Sequence, residues 1–153
     1  MVRLAKRFAA AAMVLAYILI TVSAGEMINA QPDGLAVKGY DVVAYFTENA
    51  PVRGQEDIEY TWHDVRWRFA SEEHLELFRA QPERYAPRYG GFCAGGMALG
   101  RTAPIDPEAF AIVDGKLYLG FSKAVTDNIR QAPETVLPKA DENWTEMNEE
   151  QSG

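Results

Sequence analysis

Two stretches of this chain alternate apolar with polar residues at period two, Ile58-Glu59-Tyr60-Thr61-Trp62 and Val65-Arg66-Trp67-Arg68-Phe69. Successive side chains on a strand point to opposite faces, so each stretch offers one apolar face. Only His63-Asp64 separates them, which predicts a tight β-hairpin and explains His63 as a turn residue. A second hairpin is predicted where Asp114-Gly115 divides Ala111-Ile112-Val113 from Lys116-Leu117-Tyr118-Leu119-Gly120-Phe121. Val42 to Phe46, β-branched and aromatic and preceded by Gly39-Tyr40-Asp41, reads as one more strand.

The helical signals fall between these strands. Ser71 followed by Glu72 and Glu73 predicts a helix start, with Leu75 and Phe78 on the face turned to the sheet and His74 near its edge. Pro82 restarts a short turn through Tyr85 that Pro87 stops, and Asp106-Pro107-Glu108 reads as the cap of another short helix. A further helix runs from Ser122 to about Gln131, and Trp144 docks a last short one after Pro133 and Pro138. Residues 25–34 read as a flexible lead and the acidic residues 145–153 as a disordered tail. The fold class is therefore α+β: a small antiparallel sheet built from hairpins with helices packed on it, a single domain over residues 35–144 without internal repeats.

What precedes that domain changes the picture of where it works. Arg3, Lys6 and Arg7 form a basic front, Phe8 to Val22 is uncharged and largely apolar, and Val22-Ser23-Ala24 ends the run with small residues. This is the pattern of a signal peptide over residues 1–24, implying a periplasmic or secreted protein. The run is short for a membrane span, which needs about 20 residues; its uncleaved alternative is an N-terminal anchor. With those three cations removed, 12 Lys and Arg face 22 Asp and Glu, a formal charge of −10. Such a surface disfavours nucleic acid and anionic membranes and leaves a cation or another exported protein as partner.

The candidate chemistry concentrates between Ser71 and Gly100. Cys93 is the only cysteine, so no internal disulfide can form in an oxidising compartment. Three readings of it stand. It is a buried hydrophobe; or a thiolate ligand for Cu(I), with Met97 and His74 as thioether and imidazole companions; or a redox thiol activated by a neighbouring cation such as Arg88 or Arg101. Gly90-Gly91 before it permit positive φ or close backbone approach. The chain carries no phosphate loop, nucleophile elbow or HExxH, and Asp41, Asp106 and Asp114 sit where turns and caps account for them.

Several ordered blocks resemble exported YHS-domain proteins: Gly39-Tyr40-Asp41-Val42-Val43-Ala44-Tyr45-Phe46, Trp67-Arg68-Phe69-Ala70-Ser71, Pro82-Glu83-Arg84-Tyr85-Ala86-Pro87, Tyr89-Gly90-Gly91-Phe92-Cys93-Ala94, Asp114 to Leu119 and Lys139 to Trp144. The resemblance covers about residues 35–144. It implies a small metal-binding type of module, and in the exported subgroup some relatives carry selenocysteine at the position matching Cys93. It thus points to Cys93, with Tyr89, Gly90 and Gly91 around it, and to copper as the cofactor. One departure stands out: where such modules often place another cysteine, this chain has Ala70. One thiol and two histidines do not make a four-ligand zinc set. The expectation is an exported, non-enzymatic domain binding a soft metal around Cys93. A thiol oxidoreductase and a plain interaction module are the alternatives.

Overall fold

The alternating stretches pair as their patterns require. In the computed structural model, which describes residues 26–152, strand β1 (Glu59–Trp62) runs antiparallel to β2 (Val65–Arg68), with Glu59 opposite Arg68 and Trp62 opposite Val65. His63 and Asp64 take φ of 51° and 61°, the left-handed pair that a two-residue turn needs to match strand twist. Strand β3 (Asp106–Val113) pairs with β4 (Lys116–Gly120) across Asp114 (φ 50°) and Gly115 (φ 73°). The hairpins remain two separate two-stranded sheets. Around them lie α1 (Ala44–Thr47), α2 (Glu72–Ala80), α3 (Pro82–Tyr85), α4 (Ala94–Ala98), α5 (Lys123–Gln131) and α6 (Pro133–Ser152). The architecture is α+β, small antiparallel hairpins with helices packed on them, as the sequence predicts. Among the described residues no helix is long and apolar enough to cross a membrane.

Burial divides the apolar residues into two clusters. The first gathers Val42, Val43, Tyr45, Trp67, Phe69 and Phe78 with Leu117 and Leu119; the second gathers Tyr89, Met97, Ala111, Tyr118, Ile129 and Trp144. Strand β4 stands between them. Its leucines face one cluster and Tyr118, one residue out of phase, faces the other. A strand covered on both faces loses the polar half of its pattern, which is why Leu117-Tyr118-Leu119 reads as an unbroken apolar run. Ser71 caps α2 through its Oγ, which accepts from the His74 amide at 3.2 Å. Phe78 is fully buried on that helix, while Leu75 is half-buried at the edge of the same face.

Several elements depart from the sequence expectation. Val42–Phe46 is no strand: Asp41 Oδ1 accepts the Val43 and Ala44 amides at 2.8 and 3.2 Å, and that local cap starts α1. A buried apolar run has no periodicity to tell strand from helix, and the side-chain cap decides against β propensity. Asp106-Pro107-Glu108 begins β3 instead of a helix. Asp106 Oδ1 accepts the Glu108 amide at 3.0 Å, and the register is irregular between Asp106 and Phe110, where a proline is tolerated in a strand.

The expected flexible lead is held in place, since the Asn29 amide donates to Gly90 O at 2.8 Å and Ala30 bridges to Ala36. The expected disordered tail continues α6 to Ser152, through Pro138 rather than stopping there. Val136, Leu137, Ala140, Trp144 and Met147 recur every three or four residues and lie on the second cluster, so tertiary packing outweighs the amide lost at the proline. The signal-peptide reading of residues 1–24 lies outside the described residues.

Two buried phenols make stability depend on alkaline pH. Tyr45 donates to Pro107 O at 2.7 Å and Tyr89 to Asp141 Oδ1 at 2.8 Å. Burial pushes both phenols well above the ordinary tyrosine range, helped at Tyr89 by the Asp141 carboxylate. Both stay protonated in the fold while the unfolded chain ionises near pH 10, so their contribution is complete below that pH and is lost as pH rises. Each should remove up to about 1.4 kcal/mol per pH unit above about 10. Urea unfolding at successive alkaline pH values should show this slope, reduced in Tyr45→Phe. A flat profile to about pH 11.5 would contradict it.

Candidate functional site

Cys93 sits where the left-handed Tyr89-Gly90-Gly91 turn (φ 57°, 58° and 81°) delivers the chain to α4. Its amide donates to Ala103 O at 3.1 Å and its carbonyl accepts from the Met97 amide at 2.9 Å. The thiol itself caps the short helix, Sγ accepting from the Gly96 amide at 3.5 Å, and none of it reaches solvent. It belongs to the first apolar cluster. Reactive thiols are partly exposed and electropositive in surroundings. Here Arg88 is directed to Asp141, 3.7 Å away, and to the Tyr89 ring, while Arg101 lies at the surface.

Of the residues singled out beside Cys93, Met97 follows it by one helical turn, its amide bonded to the Cys93 carbonyl. Met97 is fully buried in the second cluster. Tyr89 is packed against Tyr118 and Trp144, with its hydroxyl on Asp141. Gly90 and Gly91 offer their carbonyls to the Asn29 amide and side chain, so the turn anchors the N-terminal segment. His74 has both ring nitrogens committed elsewhere: Nδ1 donates to Asp41 Oδ2 at 2.6 Å, and Nε2 stands 3.3 Å from Thr47 Oγ1. With both ring nitrogens so occupied, His74 is not free as placed to join Cys93 and Met97 in a Cu(I) set. Among the described residues no group of three or more His, Cys, Asp or Glu stands together in a metal-binding arrangement.

What the sequence reading missed is the use made of Asp41 and His74. Asp41 is fully buried and accepts four bonds, from the Val43, Ala44 and Ala70 amides and from His74. It ties the start of α1 to the chain entering α2. Carboxylate, imidazole and hydroxyl follow one another here in the order of a general-base relay. The recesses of about 520, 420 and 370 Å³ lie elsewhere, however, and none of the three includes Asp41, His74 or Thr47. The cluster is a clamp between segments 33 residues apart. Nothing in single-sequence patterning links an aspartate in a glycine turn to a histidine one turn into a later helix.

The exposed apolar surface lies above Cys93. Two recesses of about 420 and 370 Å³ share Gly95, Leu99, Phe121 and Val125, and form one groove between the end of α4 and the start of α5. Its floor is Gly95, where a Cβ would meet Val125 Cγ1 at 2.8 Å and stand 3.7 Å from Cys93 Sγ. The glycine lets the two helices approach and leaves the groove one backbone deep over the thiol. Leu99 and Phe121 stand on it 71% and 57% exposed, two of the three large hydrophobic side chains among the described residues that remain open to solvent. The end of α4 that presents Leu99 is fixed by the Gly100 and Arg101 amides, bonded back to the Met97 and Gly96 carbonyls. Asn143 of α6 also donates to Met97 O at 2.8 Å.

Compared with known protein families, with curated proteins and with solved structures, the chain has no match.

Proposed function

We propose that this chain is an exported, non-catalytic binding module of the YHS type its sequence resembles, and that it takes an apolar ligand in the Leu99–Phe121 groove. Cys93 then serves as packing and helix cap beneath the groove. The observation that carries the reading is the exposure of Leu99 and Phe121 beside recesses lined by Ala98, Ala124, Val125 and Val136. Isolated apolar side chains are ordinary on a surface, but a concave apolar patch with a preformed floor is where ligands bind. Covering the two side chains contributes about 2–3 kcal/mol from removed apolar area, before the entropy of association.

An uncharged solvatochromic dye such as Nile red tests this directly. The wild-type protein should enhance its emission and shift it to the blue. Leu99→Ser with Phe121→Ser should abolish most of that response while changing stability by no more than about 0.5 kcal/mol, as exposed substitutions do. An undiminished response in the double variant would remove the groove as the site.

A further inference from the structure

We infer that the ligand of this groove is a free single-chain amphiphile with an anionic head, its hydrocarbon over Leu99, Phe121 and Val125 and its head at Arg101. The inference rests on the apolar-ligand reading above and adds the head group. The chain holds 22 acidic residues against 15 basic ones, yet no acidic residue lines either recess. Arg101 lines the recess of about 370 Å³ and is exposed. Other arginines have partners: Arg66, Arg68, Arg79, Arg88 and Arg130 are in ion pairs, and Arg53 and Arg84 lie over tyrosine rings. Arg101 has no such side-chain partner among the described residues. Arg101 also lines a neighbouring recess of about 360 Å³ together with Glu150, with no ion pair between the two among the described residues.

Lys123 is a second cation next to the lining residues in sequence. It opens α5 between the lining residues Ser122 and Ala124, exposed and without an ion-pair partner among the described residues. An unpaired guanidinium can hold a carboxylate or sulfate with two parallel N–H bonds while its stem lies along apolar surface. The two recesses, joined through four shared residues, are within the size range of small-molecule sites. The net negative charge of the protein opposes approach to an anionic bilayer, so the geometry favours a free amphiphile over a membrane surface.

The test uses cis-parinaric acid, a fluorescent fatty acid, and its methyl ester, titrated into the full protein at low salt. The acid should bind about tenfold more tightly than the ester, and Arg101→Glu should weaken the acid by about tenfold or more while leaving the ester within about twofold. Leu99→Ser with Phe121→Ser should weaken both probes. Equal binding of acid and ester, or an acid affinity untouched by Arg101→Glu, overturns the anionic head and leaves the Nile red reading standing. If neither probe binds and Nile red also gives no response, the groove reading falls with it. Sedimentation with phosphatidylglycerol vesicles that depends on Arg101 would overturn the free amphiphile in favour of a membrane surface. Binding of either probe that emerges only after residues 1–24 are removed would assign the groove to the apolar run of the chain itself.

Discussion

Phe78→Ala is expected to remove about 3–5 kcal/mol of stability, the range for truncating a fully buried phenylalanine. The Phe78 ring is the meeting point of the first cluster. Its centroid lies 5.1 Å from those of Trp67 and Phe69, 5.7 Å from Trp62 and 6.3 Å from Tyr60. Truncation would strip all four of a neighbour and leave a cavity that stiff aromatic walls cannot collapse to fill. Leu75→Ala, on the same helix but only half-buried, should cost clearly less. Denaturant unfolding of both variants reports the difference. A loss below about 1 kcal/mol for Phe78→Ala would mean that α2 does not close this core.

Asp41→Ala should be of similar size, about 3–5 kcal/mol, for a different reason. It removes the acceptor for three backbone amides and for the His74 ring, leaving buried or half-buried donors with nothing to bind. Asp41→Asn keeps the shape and one acceptor oxygen, yet sets an N–H against donors, so it should recover only part of the loss. His74→Ala removes one of the four bonds and should be milder than either. Thermal or urea melts of the three variants give the ranking. An Asp41→Ala protein as stable as wild type would show that the clamp is incidental to the fold.

How far these features could be read from the residues depends on whether the deciding interaction was local. Both hairpins were legible from adjacent residues, the first from period-two alternation around His63-Asp64 and the second from Asp114-Gly115 between two apolar runs. The α2 cap at Ser71 was legible for the same reason. At Asp41 the pattern misled: the valine and aromatic run signalled burial correctly, but the cap that chose helix over strand is a side-chain bond no propensity contains. At α6 the signal was present and outweighed. The spacing of Val136, Leu137, Ala140, Trp144 and Met147 marks one helical face, which the two prolines and the acidic charge obscured.

The site divides in the same way. Cys93, Tyr89 and the glycine turn were found, but the commitment of His74 to Asp41 is a contact 33 residues away in sequence. The groove was not found at all. Leu99 and Phe121 stand 22 positions apart and look, one at a time, like any other apolar residue.

The placing of β4 between two clusters bears on how the chain avoids mispairing. Sliding β4 by one residue about the Asp114-Gly115 turn would turn Tyr118 toward the space shaped for Leu117 and Leu119, and press the leucines into the aromatic pocket of Tyr89 and Trp144. In a sheet with one wet face, a one-residue slip misplaces only the side chains that belong in a single core. Here both faces would be wrong at once, so the slip has no partly satisfied halfway state in which to linger. The strand thereby acts as its own error check, with each core verifying the alignment that the other requires.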